Sequence, residues 1–119
     1  MLSPIVLFTY NRVENCKKTI ESLKLNHLSK ESELYIFSDG PKTSRDYSKI
    51  ADLRKYLREI NGFKSINISK SKENNGLANS VISGVSQVFQ NYENIIVIED
   101  DLVFSRNFLD FMNQALSYY

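Results

Sequence analysis

Short apolar runs alternate with longer stretches of helical period along the whole chain. Four runs read as strands, at residues 5–9, 34–38, 65–69 and 95–99. The first, second and fourth are continuous and rich in Ile, Val, Leu or Phe, the pattern of strands covered on both faces of a parallel sheet. The third alternates Ile66 and Ile68 with polar residues, which suits an edge strand. A helical pattern follows each strand. The first sets Val13, Cys16, Ile20 and Leu23 on one face; the second sets Tyr47, Ile50, Leu53, Leu57 and Ile60 there, with Gly62 as a stop. The third carries Ala78, Val81, Val85, Val88, Phe89 and Tyr92. The fourth opens at Ser105, read as an N-cap, and carries Phe108, Leu109, Phe111, Met112, Ala115, Leu116 and Tyr119. This order predicts an α/β fold: a Rossmann-like, doubly wound, mostly parallel sheet with right-handed crossovers.

In such a sheet every strand-to-helix loop lies at the carboxyl edge, where ligands bind near the switch in strand order. The polar residues of this chain gather in those loops. Three adjacent carboxylates, Glu99, Asp100 and Asp101, end the fourth strand. They repel one another unless a cation or hydrogen-bond donors balance them, and hard oxygen ligands suit Mg²⁺ or Mn²⁺. Taken alone, they fit a solvated strand end equally well. Ser38-Asp39-Gly40-Pro41-Lys42 reads first as a turn. In the fold, it sets Asp39 where a carboxylate accepts a hydrogen bond from the imide N–H of a uracil ring. In Thr9-Tyr10-Asn11-Arg12, the Tyr10 ring suits covering a base and the Arg12 guanidinium suits a diphosphate. A core tyrosine and a surface arginine are the plainer alternatives. Asn74-Asn75-Gly76 is a turn with a cap. The lone His27 reads as a surface residue, and no Ser-His-Asp or Cys-His set is visible.

Composition narrows the choice. The 119 residues suit one domain, with 42% hydrophobic and 24% charged residues. A net charge of +1, with the densest basic group at 49–58 interleaved with acids, gives no field for nucleic acid. Cys16 is the only cysteine, so neither an internal disulfide nor a multi-thiolate zinc site can form. The apolar run at 4–8 is too short for a signal core or a membrane span. A cytoplasmic location is the simplest expectation, one that leaves room for peripheral attachment to a membrane.

Pro4-Ile5-Val6-Leu7-Phe8-Thr9-Tyr10-Asn11-Arg12, Ser38-Asp39-Gly40, Asn75-Gly76-Leu77-Ala78 and Ile98-Glu99-Asp100-Asp101, in that order, resemble GT-A glycosyltransferases. The chain is similar to the inverting family 2. Its Glu-Asp-Asp, followed by Leu102 and Phe108, is also similar to the N-acetylglucosaminyltransferase I family. The resemblance implies that Glu99-Asp100-Asp101 stands in for the Asp-X-Asp motif. Asp101 would bind Mn²⁺ or Mg²⁺, while Asp100 and Glu99 would hold the ribose and nucleotide. By the same match Asp39 contacts the base, and Thr9, Tyr10 and Arg12 line the base and diphosphate region of a UDP-sugar. Asn79-Ser80-Val81 replaces the Ala-Arg-Asn run common in the family's third helix. The family's acceptor site and general base lie beyond the acidic motif, so no catalytic base is assigned, and a truncated donor-binding half is expected. The apolar last helix then suits a homodimer contact. Two other classes compete: a self-associating α/β interaction module, and a phosphoacceptor domain, which would need acids after the first strand.

Overall fold

The computed structural model describes residues 2–118. Tyr119, assigned above to the last helix, lies outside the described residues. Strand β1 (Ile5–Thr9) is buried along its whole length, as its unbroken apolar sequence requires. Around it lie β2 (Glu33–Ser38), β3 (Ser65–Lys70) and β4 (Ile96–Glu99), all parallel, in the order β3-β2-β1-β4. Helix α1 (Val13–Lys24) follows β1, α2 (Tyr47–Leu57) follows β2, α3 (Leu77–Phe89) follows β3 and α4 (Phe108–Tyr118) follows β4. Among the described residues, no helix is long and apolar enough to cross a membrane.

Alternate residues of each strand face opposite sides, and the two sides form separate cores. Ile5, Leu7, Leu34, Ile36, Ile96 and Ile98 pack with Cys16, Ile20 and Leu23 of α1, Leu53 and Leu57 of α2 and Leu109 of α4. Val6 and Phe8 pack with Val88 on the other side, joined by Phe37, Val81, Val85 and Tyr92. The chain steps from β1 to β2 to β3 with α1 and α2 on one face. It then turns back to β4 with α3 on the other. Keeping one crossover hand while reversing direction requires that change of face. The sheet is therefore wound on both sides, and the order reverses beside β1.

Several local expectations differ from the structure; Ile60 and Tyr92, for instance, lie past the ends of α2 and α3. Only β1 is buried along both faces: the second face of β2, Tyr35 and Phe37, is partly covered, and Val97 on β4 is 45% exposed. Tyr47 opens α2 and projects into solvent instead of joining its apolar face. Ser105 lies ahead of α4, and among the described residues its hydroxyl makes no capping bond. The cap comes from α1's end: the buried Asn26 Oδ1 accepts the Leu109 amide at 2.9 Å. Helix α4 seats Leu109 fully, and Phe108, Met112 and Leu116 partly, on the core, leaving Phe111 68% exposed.

Candidate functional site

Strand register brings the loops together. Thr9 pairs with Ser38, Ser38 with Lys70, and Phe8 with Glu99, so the four carboxyl ends lie side by side. Above them opens a cleft of about 500 Å³. Thr9, Tyr10, Arg12, Asp39, Glu99, Asp100 and Asp101 all line it, together with Asn74, Gly76, Leu77 and Ser80 from the approach to α3 and its first turn. The residues picked out from the loops after β1, β2 and β4 thus share one cavity. Asp39 and Asp101, 62 positions apart in the chain, face the same space.

The acids in this cleft differ sharply. Asp39 is buried and both its oxygens are occupied: Oδ1 accepts the Gly40 and Asn75 amides at 2.8 and 2.9 Å, and Oδ2 accepts the Gly76 amide at 3.1 Å and Asn74 Nδ2 at 3.2 Å. That is close to a carboxylate's full capacity. Asp39 therefore ties the second loop to the start of α3. A base N–H reaching it would share an oxygen already bonded. Gly40 is required where it stands, since a Cβ there would lie 2.5 Å from the Glu73 carbonyl oxygen.

Tyr10 is anchored as well. Its hydroxyl donates to Asp46 Oδ2, and Asn11 Nδ2 donates to Oδ1 at 3.0 Å. The Lys42 and Thr43 amides complete the set at 3.0 and 3.2 Å. The Tyr10 hydroxyl most of all, then Asn11 and the Lys42 and Thr43 amides, hold the Asp46 carboxyl down at about 2 against the opposing effect of burial. Burial, then Asp46, raises the Tyr10 hydroxyl in turn. Sequence reasoning missed Asp46, although Thr43-Ser44-Arg45-Asp46 has capping-box spacing and the box does form. It also missed Arg54. That guanidinium reaches from α2 to Ser38 Oγ at 2.9 Å and to the carbonyls of Ser38, Asp39 and Ser71 at 3.1, 3.2 and 2.8 Å. It thereby ties the ends of β2 and β3 together. Its helical position carries no signal of that role.

The acidic motif gathers far fewer partners, backbone amides at Asp100 alone. Glu99 and Asp101 are exposed, and among the described residues no ion pair joins any of the three acids to Arg12 or Lys42. Asp100 is half-buried. Burial raises its pKa and the Asp101 charge adds to that, while the Tyr10 backbone amide and Arg12 pull the other way. Arg12 itself occupies the N-cap of α1 and makes no capping bond. A cation beside helix amides opposes the helix dipole, an unfavourable placement that a bound anion would reverse. Thr9 completes the contrast. It is 5% exposed, and its Oγ1 is buried with no hydrogen-bond partner among the described residues. A buried hydroxyl left unpaired is costly.

A four-stranded parallel sheet wound on both faces, with an acidic motif lining a cleft over its switch point, defines a doubly wound α/β protein. Residues 5–116 match the profile of Glycosyl transferase family 2, and the chain belongs to that family. No curated protein matches the sequence. Among solved structures it is similar to S. aureus TarS. The 1–349 fragment superposes with a TM-score of 0.67 at 16% identity, over 99% of this chain and 33% of that one. The same fragment in complex with UDP gives 0.70 at 17%, over 99% and 32%. The longer TarS structure gives 0.65 at 15%, over 99% and 20%. The chain thus spans at most a third of these structures, and they share its fold.

Proposed function

We propose that this cleft binds a nucleoside-diphosphate sugar, uridine-linked, with Mn²⁺ or Mg²⁺, as the donor half of a transfer to an acceptor hydroxyl. One observation carries the reading. The seven residues line one cavity, and those with free capacity are three acids and one guanidinium. Family membership supports the sugar transfer, and the similar TarS fragment was solved with UDP.

The residues fit a divalent cation in one specific way. Among the described residues no three His, Cys, Asp or Glu side chains converge as a protein-built cage. Mg²⁺ and Mn²⁺ are commonly held by one or two carboxylates, with phosphate oxygens and water filling the other positions. Asp101 is exposed to the cleft and supplies that carboxylate. When bound, the cation would neutralise charge on the departing nucleoside diphosphate. Asp100 and Glu99 hold the ribose side. Arg12 meets the diphosphate from the start of α1, and Thr9 lines the same region. Tyr10, locked by Asp46, presents its ring as a fixed wall for the base, and Asp39 holds the opposite loop.

Calorimetric titration of UDP with Mn²⁺ should show saturable binding that weakens at least tenfold in Asp101→Ala. GDP and ADP should bind more weakly than UDP. Equal binding by Asp101→Ala would remove the cation assignment, and equal binding of all three nucleotides would remove the uridine assignment.

A further inference from the structure

Helix α1 is amphipathic, yet its buried side holds three polar residues one or two turns apart. Thr19 is 0% exposed, Asn26 just past its end is 2% exposed, and Ser22 between them is buried too. Apolar residues would fill these positions at lower cost, because a buried polar group is tolerated only when hydrogen-bonded. Ser22 Oγ and Asn26 Nδ2 donate back to the Thr19 and Ser22 carbonyls at 2.8 and 3.2 Å, and all three side chains also bond the chain that follows Asp101. Thr19 Oγ1 donates to the Leu102 carbonyl at 2.6 Å. Ser22 Oγ accepts the Phe104 amide at 3.0 Å. Asn26 Nδ2 donates to the Ser105 carbonyl at 3.1 Å, while its Oδ1 accepts the Leu109 amide.

The segment they grip begins one residue after Asp101. From Leu102 to Ser105 it has no regular secondary structure. Among the described residues, the backbone hydrogen bonds of Leu102 and Phe104 are those to Thr19 and Ser22. The acidic motif is thus held on one side by the β1–β4 ladder and on the other by α1. Helix α1 is also the helix that starts at Arg12. One rigid rod therefore sets the distance between the guanidinium and the segment leaving Asp101.

We infer that Thr19, Ser22 and Asn26 are positioning residues that hold the Asp101 segment in register with Arg12, so that a cation and a diphosphate can be bound together. This rests on the reading of the cleft as a nucleotide and cation site. Outer-shell partners of metal ligands commonly contribute tenfold or more to metal affinity. The test compares UDP binding with Mn²⁺ and with EDTA in wild type, Thr19→Val, Thr19→Ser and Ser22→Ala. Thr19→Val should weaken Mn²⁺-dependent UDP binding about tenfold and leave binding in EDTA unchanged, and Thr19→Ser should restore it. Hydrogen exchange at the Phe104 amide should speed up in Ser22→Ala, which also serves if Thr19→Val does not fold. Unchanged Mn²⁺-dependent affinity in both Thr19→Val and Ser22→Ala would overturn the inference with the cleft reading intact. An equal loss with and without the cation would overturn it too. Failure of the wild-type protein to bind UDP under either condition would instead remove the cleft reading, and this inference with it.

Discussion

Two sets of carboxylates border the same cleft and are treated in opposite ways. Asp39 and Asp46 are buried, and each gathers four donors from the chain onto its two oxygens. Glu99 and Asp101 are exposed, while Asp100 between them is half-buried with a raised pKa. Charge repulsion within the second set is left unrelieved by any ion pair among the described residues. The first set builds walls; the second keeps its lone pairs for something that arrives from outside. An acidic residue at a sheet edge is therefore informative only when its partners are counted.

The largest effect should come from attacking a wall. Asp39→Ala strips the acceptor from three backbone amides and the Asn74 side chain at once. Buried donors left unpaired cost roughly 1–3 kcal/mol each, and some will find water, so a loss of about 3 kcal/mol is expected. Urea unfolding measures it. A loss below about 1 kcal/mol would show that the Asp39 bonds are dispensable.

Asp101→Asn is the mirror experiment. Removing one of three crowded, exposed charges should shift stability by no more than about 0.5 kcal/mol. UDP affinity in Mn²⁺ should nevertheless fall at least tenfold, about 1.4 kcal/mol. A stability loss as large as that of Asp39→Ala would erase the distinction between the two sets.

The Tyr10–Asp46 lock gives the comparison a pH axis. The folded protein holds the Asp46 carboxyl at about 2 against an ordinary 3.8, chiefly through the Tyr10 hydroxyl. A depressed carboxylate contributes stability that is fully present above its unfolded value and is lost as pH falls through the folded one. Tyr10→Phe should therefore be less stable than wild type at neutral pH. The gap should narrow as pH falls from about 4 to about 2. A gap that stays constant across that window, measured by thermal unfolding, would mean that the ionised carboxylate is not the partner that matters.

Both the fold and the position of the cleft were legible because local pattern decides them. The unbroken Ile-Val-Leu-Phe-Thr run could only be a central strand, and four strand–helix alternations leave few topologies. Strand limits came within one residue because strand ends and turn residues coincide. What was not legible depends on partners distant in sequence. Arg54 sits in a stretch of alternating charge that reads as solvated, yet it reaches the ends of two strands. Asn26 looks like a helix-end residue and caps a helix beginning 82 positions later. Tyr10 was read for its ring, while its hydroxyl is what the structure fixes. The two-sided burial expected of β2 and β4 is incomplete, while α3 packs its apolar face on Val6 and Phe8. Periodicity reports that a face is apolar but not which neighbour covers it.

The smallest expected effect, and the one with the least ordinary sign, belongs to Thr9. Its hydroxyl is buried at the end of the central strand without a partner, so the unliganded protein carries a cost with no return. Thr9→Val keeps the branched shape and the strand propensity while removing the unpaired oxygen. Stability without ligand should stay level or rise by up to about 1 kcal/mol, since deleting an unsatisfied buried group recovers part of its desolvation penalty. Loss of stability in Thr9→Val would show that water or a neighbour already satisfies the hydroxyl in solution. Thr9 would then belong with Asp39 among the walls and not with Asp101 among the groups left open.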